Sequence, residues 1–134
     1  MILYTTVGTD DLTRSLRFYD PLFGEMGLER CFLDDMSASW GRKDDVSVSR
    51  FSIGYPFQGQ ATAGNGTMTA FRVDTPANVD RLHATALAKG GSDDGAPGYR
   101  ARYEGGPYAA YVRDPDGNKL AFISYGADAT STTG

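Results

Sequence analysis

Cysteine is almost absent from this chain of 134 residues. Cys31 stands alone, so no internal disulfide can form, which points to a reducing compartment, the cytoplasm. Histidine and tryptophan also occur once each, as His83 and Trp40. A lone His and a lone Cys in unrelated segments lack the local context of a Cys–His nucleophile. His83 reads as a helix residue and Cys31 as a strand residue. No apolar run approaches the ~20 residues of a membrane span. The start, Met1 to Thr6, lacks the basic region and long apolar core of a signal peptide. No basic stripe is present either: 13 Lys and Arg stand against 17 Asp and Glu, a net charge of −4. That excludes the electrostatic footprint of a nucleic-acid binder. The acidic residues are scattered and serve solubility. Gly64-Asn65-Gly66 and Gly105-Gly106 have no Lys-Ser/Thr behind them, so they are turns rather than phosphate loops.

What is present suits a packed domain: 40% hydrophobic and 12% aromatic residues. Residues 2–9 alternate as a strand. Asp10 or Asp11 caps a helix whose apolar stripe is Leu12, Leu16, Tyr19, Phe23 and Met26. Pro21 is expected to kink that helix or to start a second short one, and Gly27 ends it. Three short strands follow, at 29–33, 37–41 and 46–54, with a polar turn at 42–45. Residues 55–66 hold Pro56, Gly59, Gly64 and Asn65 and read as a loop. The pattern then restarts. Residues 67–73 form a strand, and Thr75 caps a helix with Pro76 in its first turn. Val79, Leu82, Ala86 and Leu87 make its stripe, and Gly90-Gly91 ends it. Residues 95–106 read as a Gly- and aromatic-rich loop. Residues 127–134 are expected to be a disordered tail.

Gly27 and Gly91 lie 64 positions apart, and the same offset sets Tyr4 on Met68. The repeated order of elements makes this an internal repeat. Each unit of about 60 residues would bury little core alone, so the units must pair, within one chain or by exchange between chains. The reading is one domain over 1–126, with module one at about 1–60 and module two at about 66–126.

The closing stretch organises the rest. An apolar run, Tyr108 to Val112, enters Asp114-Pro115-Asp116-Gly117, and a second run, Leu120 to Ile123, leaves it. Pro presets φ, Asp bonds its own backbone and Gly tolerates positive φ, so this is a β-hairpin. Tyr111 followed by Asp114-Pro115-Asp116-Gly117-Asn118 and a short strand resembles the last hairpin of the vicinal oxygen chelate superfamily. Those are the glyoxalase I, bleomycin-resistance and extradiol dioxygenase proteins. Val7-Gly8-Thr9-Asp10-Asp11-Leu12, with Arg14 to Tyr19 and Leu22-Phe23, resembles the family's first strand and helix. Gly66 to Phe71 resembles the strand opening its second module. Val79-Asp80 to Gly90-Gly91 and Gly95-Ala96-Pro97-Gly98 resemble the second helix and the loop after it. The resemblance covers about residues 2–125. It implies an α+β fold of two βαβββ modules forming a U-shaped curved sheet with helices outside.

In metal-using members of that superfamily each module gives two ligands, and the ion chelates vicinal substrate oxygens as a Lewis acid. The positions matching them carry Tyr4 and Met68 where His often stands, and Ala121 where Glu often stands. The fourth falls near Ser52. Hard divalent ions want carboxylate or imidazole donors. The resemblance therefore implies a member with no metal site of the family type and no cofactor. The spare carboxylates near strand ends, Asp34, Asp35, Asp44, Asp45 and Glu104, look like turn residues.

Face parity selects the residues expected to line the cavity. Tyr4 and Thr6 share a face, as do Arg50 and Ser52, and Met68 with Ala70. Tyr111 faces inward by resemblance, together with Lys119 and Ile123 if Ala121 does. Trp40 could stack on a planar ligand or fill the core. Tyr99, Tyr103 and Tyr108 could form a lid or a dimer contact. The expected ligand-binding set is Tyr4, Thr6, Trp40, Arg50, Ser52, Met68, Tyr108 and Tyr111. The expected function is binding of a hydrophobic or aromatic small molecule by a cytoplasmic homodimer, with no nucleic-acid or membrane partner. The alternative is a glyoxalase-like lyase or dioxygenase-type enzyme. A metal-free version would use Tyr4 or Tyr111 as general acid and Arg50 as anion anchor.

Overall fold

Two stretches with the same order of elements build the molecule. The computed structural model describes residues 1–101 and 105–126. Tyr103, Glu104 and the expected tail at 127–134 lie outside the described residues. The chain divides into two compact units: Met1–Asn65 with Pro115–Asn118, and Gly66–Asp114 with the chain from Lys119.

The first unit runs β1 (Tyr4–Gly8), α1 (Leu12–Glu25), β2 (Glu29–Leu33), β3 (Ser37–Gly41) and β4 (Arg50–Gly54). Its sheet has the order β1-β4-β3-β2. β1 runs parallel to β4, and the other neighbours are antiparallel. Asp11 caps α1 by accepting from the Arg14 backbone N–H at 3.0 Å, satisfying one of the donors a helix start leaves open. Gly27 takes φ 73° just past the helix, where an L side chain would be strained. The buried stripe is Leu12, Ser15, Phe18, Tyr19, Leu22 and Phe23. Leu16 and Met26, expected in that stripe, are only half-buried. α1 also runs through Pro21 as one helix. Proline removes one backbone bond, but Phe18, Tyr19, Leu22 and Phe23, each at most 1% exposed, hold the turns on either side.

The face of the sheet under α1 carries Ala38, Trp40, Phe51 and Ile53, all buried. Phe23 stacks on Trp40 at 5.2 Å, and Tyr19 lies 5.1 Å from Phe51. Each such side chain is worth about 2 kcal/mol relative to exposure. The indole N–H of Trp40 donates to Asp20 at 2.9 Å, and Arg30 pairs with the same carboxylate. β4 starts at Arg50 rather than at 46. Asp45 accepts from the backbone and hydroxyl of Ser47, and this local turn holds 46–48 out of the ladder.

The second unit runs β5 (Thr69–Arg72), α2 (Pro76–Ala88), β6 (Ser92–Tyr99), β7 (Tyr108–Arg113) and β8 (Lys119–Ser124). Its order, β5-β8-β7-β6, repeats that of the first sheet, with β5 parallel to β8. Thr75 caps α2 with Pro76 at its start. Val79, Leu82 and Ala86 are buried, whereas Leu87, expected beside them, is 39% exposed. They pack with Ala110, Val112, Leu120 and Phe122, and Phe71 stacks on Phe122 at 6.2 Å.

β6 corrects the loop expected from residue 95. Gly95, Pro97 and Gly98 are weak strand formers, but β6 is an edge, where Pro is tolerated. Its pairing with β7 is irregular at just these residues. β6 is the first of the three strands after α2, and it occupies the start of the stretch expected to be a loop.

Candidate functional site

In a parallel pair, residues in register stand on one face. β1 and β4 are paired with Tyr4 beside Arg50 and Thr6 beside Ser52. Phe51 and Ile53 point to α1, so these four share the opposite face of the first sheet. β3 adds Ser39 opposite Ser52 and Ser37 opposite Gly54. This face is polar and small, apart from Arg50 and from Tyr4 at 59% exposure. Ser52 donates its hydroxyl to the Ala38 carbonyl at 3.2 Å. The stem of Arg50 crosses Gly41, where a Cβ would come within 2.9 Å of Arg50 Cγ. Its guanidinium donates to the Arg42 carbonyl at 3.4 Å.

Trp40 does not join this group. It lies in register with Phe51 and is 1% exposed beneath α1. Its ring fills the core of the first unit.

In the second sheet, Tyr111 pairs with Ala121, and Arg113 with Lys119. Val112, Leu120 and Phe122 take the helix side, so Tyr111, Arg113, Lys119 and Ala121 share the other face. Ala70 joins them through Ala121, while Met68 immediately precedes β5 and is 48% exposed. Gly95 lies opposite Tyr111, and a Cβ there would sit 2.8 Å from Tyr111 Cδ2. Only glycine leaves room for that ring. Lys119 Nζ lies 5.2 Å, and the Arg100 guanidinium 5.5 Å, from the Tyr111 centroid, within cation–π range. Asp94 bonds Arg113 at 3.0 Å and Lys119 at 3.5 Å.

Tyr108 belongs to the opposite face. Its hydroxyl donates to Asp80 of α2 at 2.6 Å, and that bond holds the phenol above its ordinary pKa. Tyr108 and Tyr111 are an odd number of residues apart on one strand, so they cannot line the same surface. His83 of α2 meets Asp93 of β6 at 2.8 Å, and this contact lowers the Asp93 pKa. His83 therefore sits on the helix, as its sequence context indicates.

One cluster was not singled out from the sequence. Asp116 accepts from the Thr9 hydroxyl at 2.6 Å, the Asp10 backbone N–H at 3.1 Å and the Arg14 guanidinium at 2.7 Å. Ser15 adds bonds to Thr9 and to Asp116, and Asn118 donates to the Gly8 carbonyl at 2.9 Å. The Asp116 side chain is 5% exposed. These partners are about a hundred positions away in sequence, so turn chemistry alone does not reveal them. Their function is architectural: they fix the loop between β1 and α1.

By the resemblance, the positions matched to the superfamily's metal ligands carry a phenol in the first unit, Tyr4, and a hydroxyl near the fourth position, Ser52. In the second they carry a thioether and a methyl, Met68 and Ala121. Ala121 is fully buried. This donor set does not fit a hard divalent ion. Among the described residues no three His, Cys, Asp or Glu side chains cluster as ligands, and no helix is long and apolar enough to cross a membrane.

Two βαβββ units of identical strand order, each with a helix on one face only, define an α+β protein of the paired-module class. Residues 1–122 match the family model described as Glyoxalase/Bleomycin resistance protein/Dioxygenase superfamily, and the chain belongs to that superfamily. Among solved structures, a glyoxalase/bleomycin resistance protein from Albidiferax ferrireducens T118 is 35% identical, with TM-score 0.84, over 92% of this chain and 98% of that one. A glyoxalase-related enzyme from Fulvimarina pelagi shares the fold at 19% identity and TM-score 0.74, over 92% and 87% of the two chains. A lactoylglutathione lyase from Agrobacterium tumefaciens does so at 24% identity and TM-score 0.62, over 92% of each. No curated protein matches the chain.

Proposed function

We propose that this protein binds a hydrophobic or aromatic small molecule without a metal, on sheet faces turned away from the helices. One observation carries the reading. The positions where metal-using relatives place ligands hold Tyr4, Ser52, Met68 and Ala121, which cannot assemble a hard-ion site. What those faces offer instead is aromatic and cationic surface around Tyr111 and hydroxyl-bearing surface around Ser52. A few placed polar groups beside aromatic area are the usual means of small-molecule recognition.

The protein is further proposed to be a cytoplasmic homodimer. Cys31 is free, as suits a reducing compartment. Apolar side chains stand exposed at both edges of the first sheet: Leu3 and Tyr4 at β1, Phe32 and Leu33 at β2. Light scattering of the purified protein gives the oligomeric state directly.

The binding test is a thermal-shift screen of planar aromatic compounds in excess chelator. A compound that binds the native state raises the melting temperature by mass action. The reading expects such shifts with chelator present. It falls if binding appears only after a divalent metal is added, or if the metal-loaded protein turns over a 1,2-dicarbonyl–thiol adduct. The first result would establish a metal site, and the second the lyase-type alternative.

A further inference from the structure

We infer that the ligand is an anion, an aromatic carboxylate, and that the helix-distal face of the second sheet receives its carboxylate beside Tyr111. This inference rests on the small-molecule reading above and names the ligand's chemical class. The molecule as a whole carries a net charge of −4, yet this face has the opposite sign. Arg72, Arg113 and Lys119 stand on it by register, and Arg100 reaches the ring of Tyr111. Asp94 is the carboxylate paired with two of these cations. Arg113 and Lys119 share it. The Arg100 guanidinium donates to the Ala96 carbonyl at 2.7 Å, lies over the Tyr111 ring and acts electrostatically on the Tyr108 phenol.

The cations are also held in place. Gly95 clears the space that the Tyr111 ring occupies, and the ring then sits within 5.5 Å of both Arg100 and Lys119. A guanidinium and an ammonium gathered around one ring make a preformed receptor for a carboxylate. The aromatic edge of Tyr111 offers the ligand's own ring a partner. Like charges collected this closely repel one another, and an arriving anion relieves that repulsion.

The experiment titrates the full chain by calorimetry or by NMR chemical shift with three probes at matched ionic strength: benzoate, benzamide and inorganic phosphate. Benzoate is expected to bind saturably and at least about tenfold tighter than benzamide, the effect of one charge-assisted contact. Phosphate at the same concentration should not displace it. Lys119→Gln and Arg100→Gln should each weaken benzoate by about fivefold or more with unchanged circular dichroism. Arg81→Gln, on the exposed surface of α2, should leave it unchanged. Equal binding of benzamide and benzoate would overturn the inference while leaving the small-molecule reading standing. Equal competition by phosphate would reduce the face to a plain anion site and overturn the aromatic part. No saturable benzoate binding would overturn the inference outright.

Discussion

The two units share an order of elements and a strand order, and they differ in what they pack and what they present. Under α1 the first sheet packs five aromatic rings, Phe18, Tyr19, Phe23, Trp40 and Phe51. Under α2 the second packs mainly aliphatic side chains and alanines, with Phe122 as its fully buried ring. The faces away from the helices diverge as well. One carries Ser37, Ser39, Ser52 and Thr6 with a single arginine, Arg50, beside Tyr4; the other gathers Arg72, Arg113 and Lys119 with Tyr111. A duplicated architecture thus tolerates exchange of its core and its outward chemistry independently, because strand pairing depends on backbone bonds and alternation rather than on particular side chains.

The largest effect should come from the aromatic core. Phe23→Ala removes a ring that stacks on both Tyr19 and Trp40 and should cost about 4 kcal/mol in chemical denaturation. The matching change under α2, Leu82→Ala, should cost about 3 kcal/mol. A larger loss from Leu82→Ala would contradict the contrast between the two cores.

Next comes the turn at Asp116. Asp116→Ala leaves Thr9, Ser15 and Arg14 without their shared acceptor and should cost about 2 kcal/mol by the same measurement. A loss within error of zero would mean that the β1–α1 loop holds itself.

A smaller effect isolates the second sheet. Gly95→Ala brings a Cβ against Tyr111 and should cost about 1 kcal/mol through overpacking. It should also move the Tyr111 ring signals in an NMR spectrum while those of Trp40 stay put. Movement of both would show that the change is not confined to the second sheet.

The smallest effect is electrostatic. His83 holds the Asp93 pKa below its ordinary value. A carboxylate with a lowered folded-state pKa stabilises the fold above its unfolded value, about 4. That contribution disappears as pH falls through the folded value. Replacing Asp93 by Asn should therefore lower stability slightly near neutrality and remove the fall of the stability profile below about pH 4, where the two proteins should converge.

Much of this was legible in the sequence because periodicity and capping are local. Asp11, Thr75, Gly27 and the Asp114–Gly117 turn report helix and hairpin ends directly. The repeat and the superfamily resemblance then gave the element order. β6 was illegible because its glycines and proline are tolerated only on an edge, and edge position is a tertiary fact. The sequence alone groups Trp40 and Tyr108 with Tyr111, because aromatic type does not reveal which face a strand residue takes. Register resolves that, and it places both under the helices. The partners of Asp116 were illegible for a related reason: they are long-range contacts carried by residues that also serve ordinary turns and caps.

The central proposal is that the positions the resemblance matches to the superfamily's metal ligands hold no metal. Elemental analysis of the purified protein, paired with melting curves in added nickel, zinc, manganese and iron, tests it most directly. The account predicts no stoichiometric metal and no rise in melting temperature with any of the four. A stoichiometric metal with a clear rise would contradict it, and would place a ligand set elsewhere than at Tyr4, Ser52, Met68 and Ala121.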